Sequence, residues 1–362
     1  MSRIILEHVT KRFGDYAAVN DLSLEIESGA FFSLLGPSGC GKTTTMRLIA
    51  GLETADEGRI LIDDKVVFDA ADSTVVPPGK RGIGMVFQNY ALWPHMTVRE
   101  NILFGLAVRK IEKADQEERL RRVLSRLQIS ELVDRYPSEL SGGQQQRIAL
   151  ARELVTGAKV LLMDEPLSNL DAKLRIDMRV ELKQLHEETG ATVIYVTHDQ
   201  IEALTLSSTM AVMKLGVMQQ NAAPSEVFAK PTNLFVAQFM GHTPMNILPA
   251  TIQGNSMQIP GGSLPRAASS ASCADGSQIL IGARPEELLL GTTQDERSIS
   301  VRVESILPMG YDSLVRVSVE GAELTIAADE RTRTVDVGDD CFVTFDDTQL
   351  HCFDAETHER LG

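Results

Sequence analysis

Lysine is missing from residues 241–362, which hold 8 arginines and 19 acidic residues and so carry −11, whereas residues 1–240 carry −4. An acidic surface of that kind repels phosphate backbones and argues against nucleic acid as a partner. Cysteine is sparse: Cys40, Cys273, Cys341 and Cys352 show no pairing rhythm and no CxxC. That pattern fits a reducing compartment better than a disulfide framework. The opening stretch MSRIILEHVTKRFGD has no apolar core and no small-residue cleavage site, so it does not read as a signal peptide. No run approaches the ~20 apolar residues that span a bilayer. A soluble protein that docks on membrane proteins is therefore expected. Aromatics are only 5% of the chain, and Trp93 is the one tryptophan.

What is present points to two domains. A chain of 362 residues exceeds one ordinary domain. The charge shift near Gly241 predicts a boundary there, giving residues 1–240 and 241–362. In the first part, short apolar runs end in polar residues: Phe31–Leu35, 82–88, 159–166 and 191–199. Helical patterns lie between them; in DAKLRIDMRVELKQLHEETG, Leu174, Met178, Leu182 and Leu185 fall on one face and Gly190 supplies a stop. Alternating strands and helices predict an α/β domain with a mostly parallel sheet. Residues from about 90 to 155 read instead as a helical insert. Beyond 240, short β-branched runs separated by Gly, Asp and Ser predict a small all-β domain, a barrel or a sandwich, with an OB-like barrel as the expected form.

GPSGCGKT, Gly36 to Thr43, follows an apolar strand and opens a helix. This is the phosphate-loop pattern. Its glycines turn backbone amides inward, the lysine reaches the β- and γ-phosphates, and the threonine hydroxyl ligates Mg²⁺. In KVLLMDEP, Asp164 ends an apolar run where a carboxylate can hold that Mg²⁺, and Glu165 is placed to polarise a water. Gln88 and His198 end two further runs. A parallel sheet sends all these strand ends to one crevice. LSGGQ, Leu140 to Gln144, is a second anion-binding signal, a serine and bare amides at a helix start, yet it has no lysine.

In this order and spacing, residues 3–240 closely resemble the ATP-binding subunit of ABC transporters. The matching motifs are Walker A (Gly36–Thr43), Q-loop (Gln88), signature (Leu140–Gln144), Walker B (Val160–Asp164, then Glu165), D-loop (Ser168–Asp171) and switch histidine (His198). FMGHTPMNILP (239–249) and GARPEELLL (282–290) resemble the C-terminal β domain of sugar-importer ATPases of the maltose and glycerol-phosphate type.

The resemblance implies an ATPase that works as a head-to-tail pair, with a second copy of this chain as the expected partner and two ATP molecules between them. Gly36, Pro37, Ser38, Gly39, Cys40, Gly41, Lys42, Thr43 and Thr44 would bind one ATP's phosphates. Thr43, Gln88 and Asp164 would arrange Mg²⁺, Glu165 would act as general base, and His198 would hold the γ-phosphate. Ser141, Gly142, Gly143, Gln144 and Asp171 would reach the partner's ATP, so the missing lysine comes from across the interface. Phe13 would stack on adenine, with Tyr16 as the alternative. The implied setting is the cytoplasmic face of the inner membrane, with two transmembrane permease subunits and, indirectly, an extracellular solute-binding protein. NYALWPHMTV reads either as core or as a groove for a permease helix. The leading function is ATP-driven import of a sugar, polyol or sugar derivative. Alternatives are import of polyamine or iron, an ATP-switched regulatory protein, and a soluble ATPase of DNA repair or translation.

Overall fold

Three nearly continuous apolar runs, Phe31–Leu35, Val160–Asp164 and Thr192–Thr197, organise the N-terminal part of the chain, as expected where both faces of a sheet are covered. The structure, a computed structural model, describes residues 2–329 and 334–362. It divides into two compact units, Met1–Ser225 and Glu226–Gly362.

The first unit contains, in chain order, β1 (Ile4–Phe13), β2 (Tyr16–Ile26), β3 (Phe31–Leu35), α1 (Lys42–Ala50), β4 (Glu57–Ile62), β5 (Lys65–Asp69), β6 (Thr74–Val75) and β7 (Ile83–Val86). It continues with α2 (Val98–Val108), α3 (Lys113–Arg126), α4 (Gly142–Leu154), β8 (Val160–Asp164), α5 (Ala172–Thr189), β9 (Thr192–Thr197), α6 (Gln200–Leu206), β10 (Thr209–Lys214) and β11 (Val217–Ala222). The central sheet has the order β11-β10-β3-β9-β8-β7, parallel except for β11 at one edge. Successive side chains of a strand face opposite ways. Phe32, Leu34, Val160, Leu162, Ile194 and Val196 accordingly join a core with α1 and a second, antiparallel sheet, β2-β1-β4-β5-β6. Phe31, Leu161, Met163, Val193 and Tyr195 join the opposite core with α4 and α5. There Met178, Leu182 and Leu185 are buried, each worth roughly 1.5–3 kcal/mol relative to exposure, while Leu174 is half-buried against them.

The antiparallel sheet was not among the strands expected from sequence. Its long strands β1 and β2 mix exposed and buried residues and slip register three times, which blurs the alternation that marks a strand. The insert between β7 and β8 is helical as expected. Val98, Ile102 and Leu106 of α2, Leu120, Val123 and Leu124 of α3, Ile148 and Ala151 of α4, and Val155 just beyond it share one core. Asn101 is buried there without penalty: its amide donates to the carbonyls of Trp93, Met96 and Thr97, and its oxygen accepts from the Trp93 N–H.

The second unit begins earlier than the composition shift near Gly241. Two short helices, α7 (Pro224–Ala229) and α8 (Leu234–Phe239), precede its strands. Arg284, 1% exposed, donates to the Phe228 carbonyl at 2.7 Å and the Met240 carbonyl at 2.7 Å, fastening this helical stretch to the β structure. The strands are β12 (Asn246–Gln253), β13 (Ser256–Ile259), β14 (Gly262–Pro265), β15 (Gln278–Ala283), β16 (Leu288–Gly291), β17 (Ser298–Pro308), β18 (Asp312–Val319), β19 (Ala322–Asp329), β20 (Asp340–Phe345), β21 (His351–Asp354) and β22 (Arg360–Leu361). They form two antiparallel sheets, β14-β13-β12-β15-β21-β22 and β16-β20-β17-β18-β19, around one apolar core.

Candidate functional site

Parallel pairing aligns the carboxyl ends of β3, β9 and β8: Leu35 lies opposite Thr197, and Asp164 opposite Val196. Each strand then releases its chemistry-bearing residues on the same edge of the sheet.

After β3 the chain turns through Gly36–Gly41 into α1. Gly41 has φ +103°, and a Cβ there would lie 2.1 Å from the Ala18 carbonyl oxygen. At Gly36 a Cβ would lie 2.4 Å from the Met213 carbonyl oxygen. Only glycine lets this loop curl so tightly against neighbouring main chain. Lys42, 5% exposed, folds back over the loop and donates to the carbonyls of Gly36 (2.7 Å) and Pro37 (3.0 Å). These bonds hold its ammonium at the mouth of the cradle. Cys40 lies under it, with Sγ 3.7 Å from Lys42 Nζ, and burial pushes its thiol pKa up, so it stays protonated. A cavity of about 330 Å³ opens on the loop and is lined by Phe13, Tyr16, Gly39, Lys42, Thr44 and Glu165 among others. Phe13 and Tyr16 are half-exposed at its rim, 52% and 49%. The Tyr16 hydroxyl donates to the Gly39 carbonyl at 2.7 Å, and Lys11 Nζ sits 5.2 Å from the Phe13 ring centre.

The Thr43 hydroxyl donates to Asp164 Oδ1 at 3.2 Å, so two hard oxygens from different elements face each other. Burial raises the Asp164 pKa, opposed by the Thr43 bond and by Arg47 and Lys42, with Glu165 adding to the rise. Two facing hard oxygens, one a carboxylate, suit a hard cation such as Mg²⁺. Glu165 follows with φ +43° and donates its N–H to the Val196 carbonyl at 2.9 Å. This left-handed turn aims its carboxylate along the edge, where Oε2 meets His198 Nδ1 at 3.2 Å. The His198 side chain is 59% exposed, open to a ligand arriving from outside.

Gln88 lies beyond β7, and its amide nitrogen donates to the Ser168 hydroxyl at 3.2 Å. Asn169 donates back to the Gln88 carbonyl at 3.0 Å, and the Ser168 hydroxyl donates to the Glu165 carbonyl at 2.8 Å. The segment 168–171 is thereby laced to the site, and Asp171 then caps α5, accepting from the Leu174 N–H at 3.0 Å. The sequence marked Ser168 and Asn169 only as part of the D-loop motif; that they tie Gln88 to Glu165 appears first in the structure.

Ser141 is the N-cap of α4. Its hydroxyl accepts from the Gln144 N–H at 3.4 Å, while Gln144 Oε1 accepts from the Ser141 N–H at 2.9 Å, a capping box. Gly142 and Gly143 sit against Leu170 and Leu174; a Cβ at either would come within 3.1 Å of these side chains. The signature thus rests on the start of α5 and presents its first-turn amides, which have no intrahelical acceptor.

A cradle of glycine amides with a buried lysine, an opposed Thr–Asp oxygen pair, and a Glu–His pair on one parallel-sheet edge define a P-loop nucleoside triphosphatase. Residues 19–168 match the family model described as ABC transporter, and residues 281–353 match the TOBE domain. The trehalose/maltose import ATP-binding protein MalK of Thermococcus litoralis is 44% identical, with all of both chains covered. The sn-glycerol-3-phosphate import ATP-binding protein UgpC of Bordetella avium is 42% identical over 100% of this chain and 99% of its own. A dimeric ATP-binding cassette solved in a post-hydrolysis state with ADP and Pi superposes with a TM-score of 0.53 at 31% identity, covering 61% of this chain and 98% of that one. The chain belongs to the ABC transporter family, as one of its ATP-binding, ATP-hydrolysing proteins.

Proposed function

We propose that this chain powers a membrane importer for a sugar, polyol or sugar derivative by ATP-dependent closure of a head-to-tail pair of copies. The convergence of Thr43, Asp164, Glu165 and His198 on one sheet edge carries the reading. Full-length similarity to trehalose/maltose and glycerol-phosphate import proteins supports the substrate class over polyamine, iron or a purely regulatory role.

In this reading Gly36–Thr44 and Lys42 hold the phosphates, and Phe13 stacks on adenine. Thr43 and Asp164, with Gln88, hold Mg²⁺, which when bound neutralises charge on the β- and γ-oxygens. Glu165 takes the proton of the attacking water, and His198 orients both the carboxylate and the γ-phosphate. Ser141, Gly142, Gly143 and Gln144 close over the ATP of the second copy, with Gly142 and Gly143 offering the helix-start amides that the capping box does not use, and Asp171 lies where the copies meet. Fixed dipoles suffice there because Lys42 already provides the cation.

An apolar groove of about 480 Å³ is lined by Leu52, Phe87, Ala91, Trp93, Phe104 and Arg152 among others. Arg152 lies over the Trp93 ring at 5.1 Å, and the Trp93 and Phe104 rings are 4.3 Å apart. In this reading the groove takes a helix from a permease subunit, and the chain works on the cytoplasmic face of the inner membrane, with one permease subunit for each copy. Among the described residues no helix is long and apolar enough to cross a membrane itself.

Two measurements test the proposal. Glu165→Gln should cut turnover by about 10²–10⁴-fold while ATP-driven dimers persist; hydrolysis at the wild-type rate would refute the base assignment. Purification from membranes should recover this chain in a complex with two hydrophobic permease subunits, and the ATPase activity of that complex should rise with a sugar-loaded binding protein; stimulation by a polyamine- or iron-loaded one instead would overturn the substrate class.

A further inference from the structure

Arg175 lies one turn inside α5, four residues after the cap Asp171, and its N–H donates to the Asp171 carbonyl at 2.9 Å. Its guanidinium points back over the helix start. One terminal nitrogen donates to the Leu170 carbonyl at 3.1 Å and the other meets Asp199 Oδ2 at 3.5 Å. Its Nε is buried without a partner, so these two contacts are what hold the group.

Each end of this bridge borders the hydrolytic site. Leu170 belongs to the segment 168–171, which Gln88 and Ser168 tie to Glu165. Asp199 directly follows His198 and is immobilised on every side. Its Oδ1 accepts from the N–H groups of Ile201 (2.8 Å) and Glu202 (3.3 Å), and its own N–H donates to the Thr197 hydroxyl at 2.9 Å. The Thr197 hydroxyl in turn donates to Glu202, a carboxylate only 3% exposed that also accepts from Tyr195 at 2.8 Å. The contacts close a ring: Gln88, Ser168, Glu165, His198, Asp199, Arg175, Leu170, and through Asn169 back to Gln88.

We propose that Arg175 is a positioning residue for hydrolysis: it locks the 168–171 segment to the peptide that carries His198, so that the two shift as one body. The inference rests on the roles given above to Glu165 and His198. Without Arg175, the Leu170 carbonyl and Asp199 lose their common anchor, and His198 keeps only its own loop and the contact with Glu165. A guanidinium can serve two acceptors at fixed geometry, which an ammonium on a flexible stem cannot. Nucleotide binding depends on Gly36–Thr44 and leaves the bridge untouched, so the loss should fall on turnover and not on ATP affinity.

The test uses the purified full-length chain. Arg175→Ala should lower kcat by about 10–100-fold, the range for small misplacements remote from the reacting atoms, with KM for ATP changed by less than about twofold. Asp199→Asn keeps an α6 cap but removes the charge, and should show the same pattern. The double variant should be no slower than the slower single one, because both remove one link. Arg175→Lys should recover part of the rate. A kcat equal to wild type in Arg175→Ala, multiplied losses in the double variant, or a KM that rises in step with a falling melting temperature would each overturn the proposal. Glu165→Gln run alongside separates the failures. If it hydrolyses normally, the reading of the site falls; if it is inactive while Arg175→Ala is not, the bridge alone falls.

Discussion

At neutral pH the imidazole of His351 is an uncharged acceptor locked inside the second unit. It is 6% exposed, stacks on Phe353, and its Nδ1 accepts from Arg360 at 2.8 Å. Burial, then the positive charges of Arg360 and Arg284, push its pKa from 6.5 down to about 4. In the unfolded chain the ring regains its ordinary pKa, so between pH 6.5 and 4 the unfolded state binds more protons. The stability is therefore fully present above pH 6.5 and is lost as pH falls toward 4. A gap of that size corresponds to up to about 3 kcal/mol, at 1.36 kcal/mol per pH unit. His351→Asn retains an acceptor where Nδ1 sits but cannot take the proton. Its loss of ring packing is an offset independent of pH. Hydrogen exchange read on peptides from 246–361 against pH should show wild type losing this increment and the variant lacking it, with peptides from 4–222 behaving alike in both. Equal slopes for the two proteins between pH 6.5 and 4 would refute the reasoning.

Gly41→Ala places a methyl on the Ala18 main chain at a backbone angle that favours glycine, so nucleotide binding should fall below detection in equilibrium dialysis although the chain folds. Ser141→Ala removes the α4 cap and should cost roughly 1 kcal/mol in urea unfolding, and it should slow hydrolysis only at protein concentrations where copies pair.

Contiguity decided what was legible in the sequence. The phosphate loop, Asp164–Glu165 and the signature each act through adjacent residues and main-chain amides, so their order in the chain is nearly their order in space. His198 and Gln88 were legible one level up, once parallel strands sent their ends to one edge. The Arg175–Asp199 bridge was not, because those residues are 24 apart and meet only through the way α5 lies against α6. An arginine one turn past a helix cap and an acid directly after the histidine were the faint signals. The first residues of the second unit were hidden for a related reason. The charge shift near Gly241 marks where strands begin, whereas Arg284 gathers helices from further upstream by bonding their carbonyls.

The strict alternation along β3, β8 and β9 sorts side chains into two separate cores, and it also fixes a phase at each strand's exit. One residue added within Val160–Met163 would exchange Leu161 with Leu162 between the cores and turn Asp164 away from Thr43. Additions beyond the strand ends leave that phase intact, and the stretch from 87 to 159 between β7 and β8, which carries α2, α3 and α4, shows how much such a connection can hold. The sheet therefore behaves as a fixed-length ruler with extensible connections: lineages can lengthen what reaches outward to other molecules while the spacing of the phosphate chemistry stays constant.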